Sequence, residues 1–269
     1  MLDQIAERIK SLPPLPKSFH KISLTCNNEN ASVGDLASII EEDPMLIANL
    51  LKVANSPLYS FRREIKSVLQ AVSLFGMSTT RSLVMDMSIK KLLNVDMAPY
   101  GVSPDEFAHI SGLQGALILH WYKKVDASKI EMLFLSALMQ ETGKILIADE
   151  IVKSDETFHF KSEIENSTNV ADVEKTFSGT TSAEVTARIF EHWKFDDFMV
   201  QAIRYSDNLQ NVSAQMRPYA LALKIVKTAI PINAPLSERS IAIAQNLVIK
   251  ENLNEEMFMG ALDKVLEHF

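Results

Sequence analysis

Two histidines and one polar doublet are the residues of this sequence whose types could hold a metal ion. His109 and His120 fall within one predicted helix and lie on nearly the same face of it. At a rise of about 1.5 Å per residue they are about 16 Å apart, too far to share one ion. The doublet Gln140-Glu141 adds a single carboxylate, because glutamine is a poor ligand for divalent metals. These residues alone do not predict a working metal centre.

Other catalytic classes leave no motif in the sequence. We find no glycine-rich phosphate loop, no His-Glu-x-x-His pair, no cysteine cluster and no Gly-x-Ser-x-Gly turn. The single cysteine, Cys26, predicts no internal disulfide and fits a reducing compartment. No signal-peptide pattern and no run of about 18 apolar residues is present. We therefore expect a cytoplasmic protein with no cofactor and no membrane partner.

The doublet stands at a junction between two predicted helices. Ile130–Met139 is an apolar run of helical length, and Lys144 begins a second run. Gly143 between them is predicted to close the first helix with a positive φ angle, which glycine adopts without steric cost. The same helical periodicity continues through the chain, which has only 8 glycines and 10 prolines among 269 residues. The sequence therefore predicts an all-α fold.

Four motifs in the first third of the chain carry a family resemblance. They are Leu12-Pro13-Pro14-Leu15-Pro16, Ile40-Glu41-Glu42-Asp43-Pro44, Leu50-Leu51-Lys52-Val53-Ala54-Asn55-Ser56-Pro57-Leu58-Tyr59 and Ala71-Val72-Ser73-Leu74-Phe75-Gly76. In this order they resemble the HD-related output domain (HDOD) family, over roughly residues 12 to 210. The resemblance implies a multi-helical bacterial signalling module with an N-terminal helical subdomain, 1–98, and a degenerate HD-like subdomain, 99–210. Residues 211–269 are then expected as extra helices packed on the same core.

The same resemblance extends to the HD superfamily of metal-dependent phosphohydrolases, and it implies where the metal ligands have been lost. The Gln140-Glu141 doublet stands where that superfamily has His-Asp, and His109 stands at its first histidine. The later histidine positions hold Ser182, Tyr205 and Ser206, and the helix at 213–229 has no acid to supply the last aspartate. The resemblance therefore implies that the protein does not catalyse phosphoester hydrolysis and binds no metal.

A non-catalytic signalling module must act through a protein partner, and the loop after Ala54 is the predicted contact surface. Apolar and aromatic residues in a loop are typical of contact patches. Its candidate residues are Asn55, Ser56, Pro57, Tyr59, Phe61, Arg62 and Arg63. An alternative interpretation is that Leu58, Tyr59 and Phe61 instead close the hydrophobic core.

Two other functions remain open from the sequence. A residual metal-dependent phosphohydrolase would use His109 and Glu141. A regulator that binds nucleic acid would use the basic cluster Arg62, Arg63 and Lys66, although the net charge of −7 disfavours contact with a phosphate backbone. The sequence also leaves open whether the cleft that holds the metal in the HD superfamily binds a small ligand in this protein.

Overall fold

In a computed structural model, residues 1–59, 61, 63–93, 96–210, 212–267 and 269 are described, and within them the chain is helical with no strand. The predicted all-α fold is thereby confirmed. Sixteen α-helices occur in the described ranges: α1 (Leu2–Lys10), α2 (Lys17–Cys26), α3 (Val33–Ile40), α4 (Pro44–Ala54), α5 (Val68–Phe75), α6 (Met77–Leu93), α7 (Pro104–Val125), α8 (Ile130–Met139), α9 (Gly143–Lys153), α10 (Thr157–Asn166), α11 (Val170–Ser178), α12 (Ser182–His192), α13 (Asp197–Arg204), α14 (Arg217–Ala229), α15 (Glu238–Lys250) and α16 (Glu255–Leu266).

The chain forms two compact units. The larger comprises Met1–Leu12 and Val95–Glu267, and the smaller comprises Pro13–Asn94 with His268–Phe269. The first helix therefore belongs with the larger unit and not with the predicted N-terminal subdomain, because the apolar stripe of α1 is buried against α9 and α12. The helices after residue 211 lie in the same unit as the HD-like segment.

The smaller unit is built from α2 to α6. Apolar side chains from successive helices, among them Ile22, Leu36 and Leu50, are at most 1% exposed and form its core. Local signals set the helix starts. Ser32 Oγ accepts a hydrogen bond from Asp35 N while the Asp35 carboxylate accepts one from Ser32 N, which forms a capping box at the start of α3.

The larger unit is organised around α7 and α8, which pack against each other along much of their length. Trp121 in α7 is buried and packs edge-on against Phe258 of α16, with ring centroids 5.1 Å apart. Helices α11 and α12 pack against α9, and α13 and α14 pack against α8, which brings the junction residues together. Of the helices in the described ranges, none has the length and apolar character that a bilayer crossing requires.

Candidate functional site

The junction between α8 and α9 is held by a buried ammonium group. Lys144 is 3% exposed, and its Nζ lies 3.1 Å from Glu141 Oε2 and donates a hydrogen bond to Ser182 Oγ at 3.0 Å. The same Nζ also contacts Glu174 Oε1. Burial lowers the pKa of Lys144, while the Glu174 carboxylate opposes this by favouring the charged form. A positive charge thus lies between two carboxylates in the interior.

Glu174, in α11, is fully buried, and its carboxylate makes three polar contacts with residues outside that helix. Its Oε2 accepts a hydrogen bond from Ser182 N at 2.6 Å, and its Oε1 accepts one from the Tyr100 hydroxyl at 3.0 Å in addition to contacting Lys144. Burial and the nearby Glu174 carboxylate raise the pKa of Tyr100 well above its ordinary value, so the phenol stays a donor. Glu174 therefore links α9, α11 and α12.

A second buried chain of hydrogen bonds starts from Gln140. Its Nε2 donates to Gln114 Oε1 at 2.8 Å, and Gln114 Nε2 donates to the Ile230 carbonyl at 2.9 Å. Both side chains are fully buried. Gln114 lies in α7, so the residue of that helix that faces the doublet is a glutamine.

Gly143 allows α9 and α12 to approach each other closely. Its N–H donates to Thr186 Oγ1 at 2.7 Å, and a Cβ at this position would lie 2.3 Å from the Ser182 carbonyl oxygen. The prediction of a positive φ angle here was wrong, because the positive-φ glycines of the described chain are Gly76, Gly101 and Gly179. Gly143 is required for lack of a side chain and begins α9.

A second internal ion pair lies between the end of α13 and α14. Lys227 Nζ contacts Asp207 Oδ1, and their side chains are 16% and 12% exposed. Lys224, one turn earlier in α14, donates to the Asp207 backbone carbonyl at 2.8 Å. Lysines thus stand on the helix that the HD resemblance expects to supply an aspartate.

These two ion pairs line one cavity of about 380 Å³ in the larger unit. Glu141, Lys144, Ser182, Ser206, Asp207 and Lys227 are among the residues of its wall. Hydroxyl and amide side chains from the 166–169 segment and from the start of α15 complete much of the remainder. The cavity wall thus combines apolar surface with polar groups and with charges of both signs.

A family model described as "HDOD domain" matches residues 12–209. The chain belongs to the HDOD family. A curated relative, an uncharacterised protein of Treponema pallidum (strain Nichols), is 21% identical over 220 residues, which are 80% of this chain and 41% of the relative. This chain therefore spans less than half the length of that relative.

Solved structures show the same HDOD fold. An HDOD domain protein with unknown function from Geobacter sulfurreducens aligns with a TM-score of 0.71 at 19% identity, over 98% of this chain and 94% of that one. A protein from Marinobacter aquaeolei VT8, provisionally described as a signal transduction protein, aligns with a TM-score of 0.70 at 23% identity. The alignment covers 96% of this chain and 57% of that one. A protein from Shewanella amazonensis SB2B, provisionally described as a metal-dependent phosphohydrolase, aligns with a TM-score of 0.67 at 17% identity. The alignment covers 98% of this chain and 96% of that one.

The residues of this HDOD chain do not fit the divalent metal that the HD superfamily implies. The carboxylate of Glu141 faces the Lys144 ammonium, and that of Asp207 faces the Lys227 ammonium. Gln140 uses its amide to donate to Gln114. A divalent ion at these oxygens would meet two fixed positive charges at close range, and it would gain few anionic ligands in return.

The structure brings together some of the sequence-predicted site residues and not others. Glu141, Ser182 and Ser206 line the cavity, and Gln140 is buried beside it. His109 lies on an exposed face of α7, and Tyr205 is partly exposed at the end of α13; neither is among the cavity-lining residues. Sequence reasoning missed four charged or polar residues of the site: Gln114, Glu174, Asp207 and Lys227.

The predicted partner surface lies in the smaller unit, and part of it is structural. The Asn55 side chain links the two ends of the loop. Its Nδ2 donates to the Leu51 and Ile65 carbonyls at 2.9 Å each, and its Oδ1 accepts a hydrogen bond from Ile65 N at 2.8 Å. The Tyr59 and Phe61 rings both pack edge-on against Phe75, at 4.9 and 5.1 Å between centroids.

The remaining candidates of this loop differ in exposure. Leu58 is 4% exposed, and the Leu58 backbone N–H donates a hydrogen bond to Ser56 Oγ at 3.4 Å. Pro57 and Arg63 are exposed, while Arg62 lies outside the described residues. Lys66, the third residue of the basic cluster, lies 3.3 Å from the Glu64 carboxylate. Asn55, Pro57 and Arg63 are thus the exposed members of the set among the described residues. The Asn55 amide is already engaged by backbone groups of Leu51 and Ile65, which leaves Pro57 and Arg63 as the candidates for contact.

The Asp207–Lys227 ion pair predicts a loss of stability in acid. Burial acts to raise the pKa of the Asp207 carboxyl, but contact with Lys227, together with Lys144, holds the pKa below its ordinary value. A carboxyl whose folded pKa lies below its unfolded value stabilises the fold above the unfolded pKa of about 3.9. That contribution is lost as the pH falls through the folded pKa, so it should disappear between about pH 5 and pH 2.

Urea denaturation of the wild type and of Asp207→Asn measures this contribution. The free-energy difference between the two should be largest near neutral pH and should shrink as the pH falls to about 3. Asp263→Asn, which changes an exposed acid of α16, is the matched control and should show little difference at any pH. A difference between wild type and Asp207→Asn that stays constant with pH would contradict the prediction.

Proposed function

We propose that this HDOD chain is a non-catalytic signalling module that acts by binding another protein. The observation that carries the proposal is the Lys144 ammonium between Glu141 and Glu174, at the doublet where the HD superfamily binds metal. This ammonium balances the charge of the two carboxylates, and it has no open coordination position for a water nucleophile. The site therefore holds helices together.

The family and its structural relatives support a signalling role. HDOD modules resemble output domains, and one relative of the same fold is provisionally described as a signal transduction protein. Because the cavity is unsuited to metal chemistry, such a module would transmit its signal by contacting another protein through an exposed surface. The loop after Ala54 is the proposed surface, and its exposed members Pro57 and Arg63 are the proposed contacts.

The aromatic residues of the loop have a supporting role in this proposal. Tyr59 and Phe61 pack on Phe75, so truncating either would disturb the core of the smaller unit as well as any interface. Loss of partner binding in such a variant would have two explanations. Arg63 is the sharper probe, because its side chain is exposed and arginine is enriched among residues that dominate interface energies.

Partner capture with Arg63→Glu tests the proposal. The partner is first identified by cross-linking in cells that naturally contain this protein, and its binding is then measured with both purified proteins. We expect Arg63→Glu to weaken this binding at least about tenfold, or about 1.4 kcal/mol, while the melting temperature changes little.

Lys17→Glu is the matched control, since Lys17 is an exposed cation at the start of α2 in the same unit. Its charge change is the same as that of Arg63→Glu. Equal weakening by both variants would show a general charge effect and contradict a contact at the loop. Unchanged binding of Arg63→Glu would also contradict the proposed surface.

A further inference from the structure

The cavity of the larger unit has the chemistry of a ligand site in addition to that of a structural junction. It encloses about 380 Å³, within the range of pockets that hold small metabolites. Lys224, Lys227 and Arg239 line it with positive charge, and Lys227 has three donors but meets one carboxylate. Arg239 is exposed, so its guanidinium can turn toward a ligand.

Backbone groups add to the positive potential on the side formed by α11. Val170 and Ala171 line the cavity in the first turn of this helix. The Asn169 side chain at the N-cap accepts no hydrogen bond from a backbone N–H of the helix, and its Nδ2 donates to the Asp172 carboxylate at 2.6 Å. The first N–H groups of a helix that lacks such a cap attract anions. Serine, threonine and asparagine side chains of the 166–169 segment lie beside them.

A buried carboxylate in the same cavity points to a second feature of the ligand. Glu141 is 2% exposed, and its Oε2 lies 3.1 Å from Lys144 Nζ but accepts no hydrogen bond from the described residues. A carboxylate oxygen can accept more than one hydrogen bond, so a hydroxyl group of a ligand can donate to it beside the ammonium.

We propose that this cavity binds a sugar phosphate: the phosphate contacts Lys224, Lys227 and Arg239, and a sugar hydroxyl donates to Glu141. Lysine and arginine are the side chains that hold phosphate, through charge and multiple N–H donors. One phosphate ion would fill only part of the volume, which leaves space for the sugar. The inference concerns the larger unit alone, so it stands or fails independently of the partner surface in the smaller unit.

Isothermal titration of the full chain in about 150 mM salt, at which weak nonspecific phosphate contacts are screened, tests this inference. The probes are ribose 5-phosphate, inorganic phosphate and ribose. We expect saturable binding of ribose 5-phosphate, weaker binding of inorganic phosphate and none of ribose. Arg239→Met should weaken ribose 5-phosphate at least about tenfold. Lys250→Met, which removes an exposed cation from the last turn of the same helix, should leave its affinity unchanged.

Three results would overturn the inference. The first is no saturable binding of either phosphate compound up to about 10 mM, which is weaker than specific recognition requires. The second is equal affinity for ribose 5-phosphate in Arg239→Met and Lys250→Met. The third is equal affinity for ribose 5-phosphate and inorganic phosphate, which would remove the hydroxyl contact at Glu141.

Discussion

Replacing Lys144 with methionine is expected to lower the free energy of unfolding of the larger unit by about 3–5 kcal/mol. Methionine has a similar length and remains apolar, so the change removes the charge without opening a large cavity. Glu174 is fully buried and Glu141 is 2% exposed, and both carboxylates would lose the ammonium between them. Removing one partner of a buried ion pair is costly because the charge left behind is neither solvated nor paired.

Urea denaturation followed by tryptophan fluorescence measures this loss. Both tryptophans, Trp121 and Trp193, lie in the larger unit, so the signal reports on the unit that contains Lys144. Lys10→Met is the control in the same unit. Its Nζ pairs with Glu7, and both side chains are exposed, at 72% and 71%; exposed pairs contribute at most about 1 kcal/mol.

A compensating variant separates the lost charge from any packing defect. If Glu141 and Glu174 are changed to glutamine in the Lys144→Met background, the uncompensated charges disappear and part of the stability should return. An effect of Lys144→Met no larger than that of Lys10→Met would show that the buried ammonium contributes little. No recovery in the triple variant would assign the loss to packing.

Gly143→Ala is expected to destabilise the larger unit by about 2–3 kcal/mol, although alanine is the better helix former. Its Cβ would lie 2.3 Å from the Ser182 carbonyl oxygen and 2.7 Å from Thr186 N, and both are backbone atoms. Relief therefore requires α9 and α12 to separate. The separation would also strain the hydrogen bond from Gly143 N to Thr186 Oγ1.

Gly260→Ala is the control for this substitution. Gly260 lies inside α16, and a Cβ there would meet no atom closer than the Lys124 Nζ at 3.5 Å, the mobile end of a long side chain. We expect Gly260→Ala to be neutral or to stabilise the larger unit by up to about 1 kcal/mol. Similar effects of the two substitutions in urea denaturation would contradict the close approach at Gly143.

The helices could be predicted from the sequence because their signals are local. The Ser32–Asp35 capping box and the Asp43-Pro44 start of α4 depend on neighbours within a few residues. One helix start was nevertheless predicted wrongly. Helix α14 was expected from residue 213 but begins at Arg217, because Pro218 favours the first turn and residues 214–216 form a turn before it.

The candidate site was predictable only at its contiguous part. The Gln140-Glu141 doublet and Lys144 stand next to each other in the chain, so their proximity followed from the sequence. Glu174 reaches Lys144 across 30 residues, and nothing local distinguishes it from an exposed acid of an amphipathic helix. Asp207 and Lys227 likewise look like surface charges until α13 and α14 are packed. Burial by tertiary contacts made these residues part of the site.

Metal analysis of the purified protein tests the central claim most directly. The claim is that Glu141 and Asp207 do not bind a metal ion, because their carboxylates form ion pairs with Lys144 and Lys227. The protein is incubated with excess Mn²⁺, Fe²⁺ or Zn²⁺, dialysed, and measured by inductively coupled plasma mass spectrometry. The account predicts metal far below one equivalent per chain. Retention of one equivalent that is lost in Glu141→Gln would contradict it.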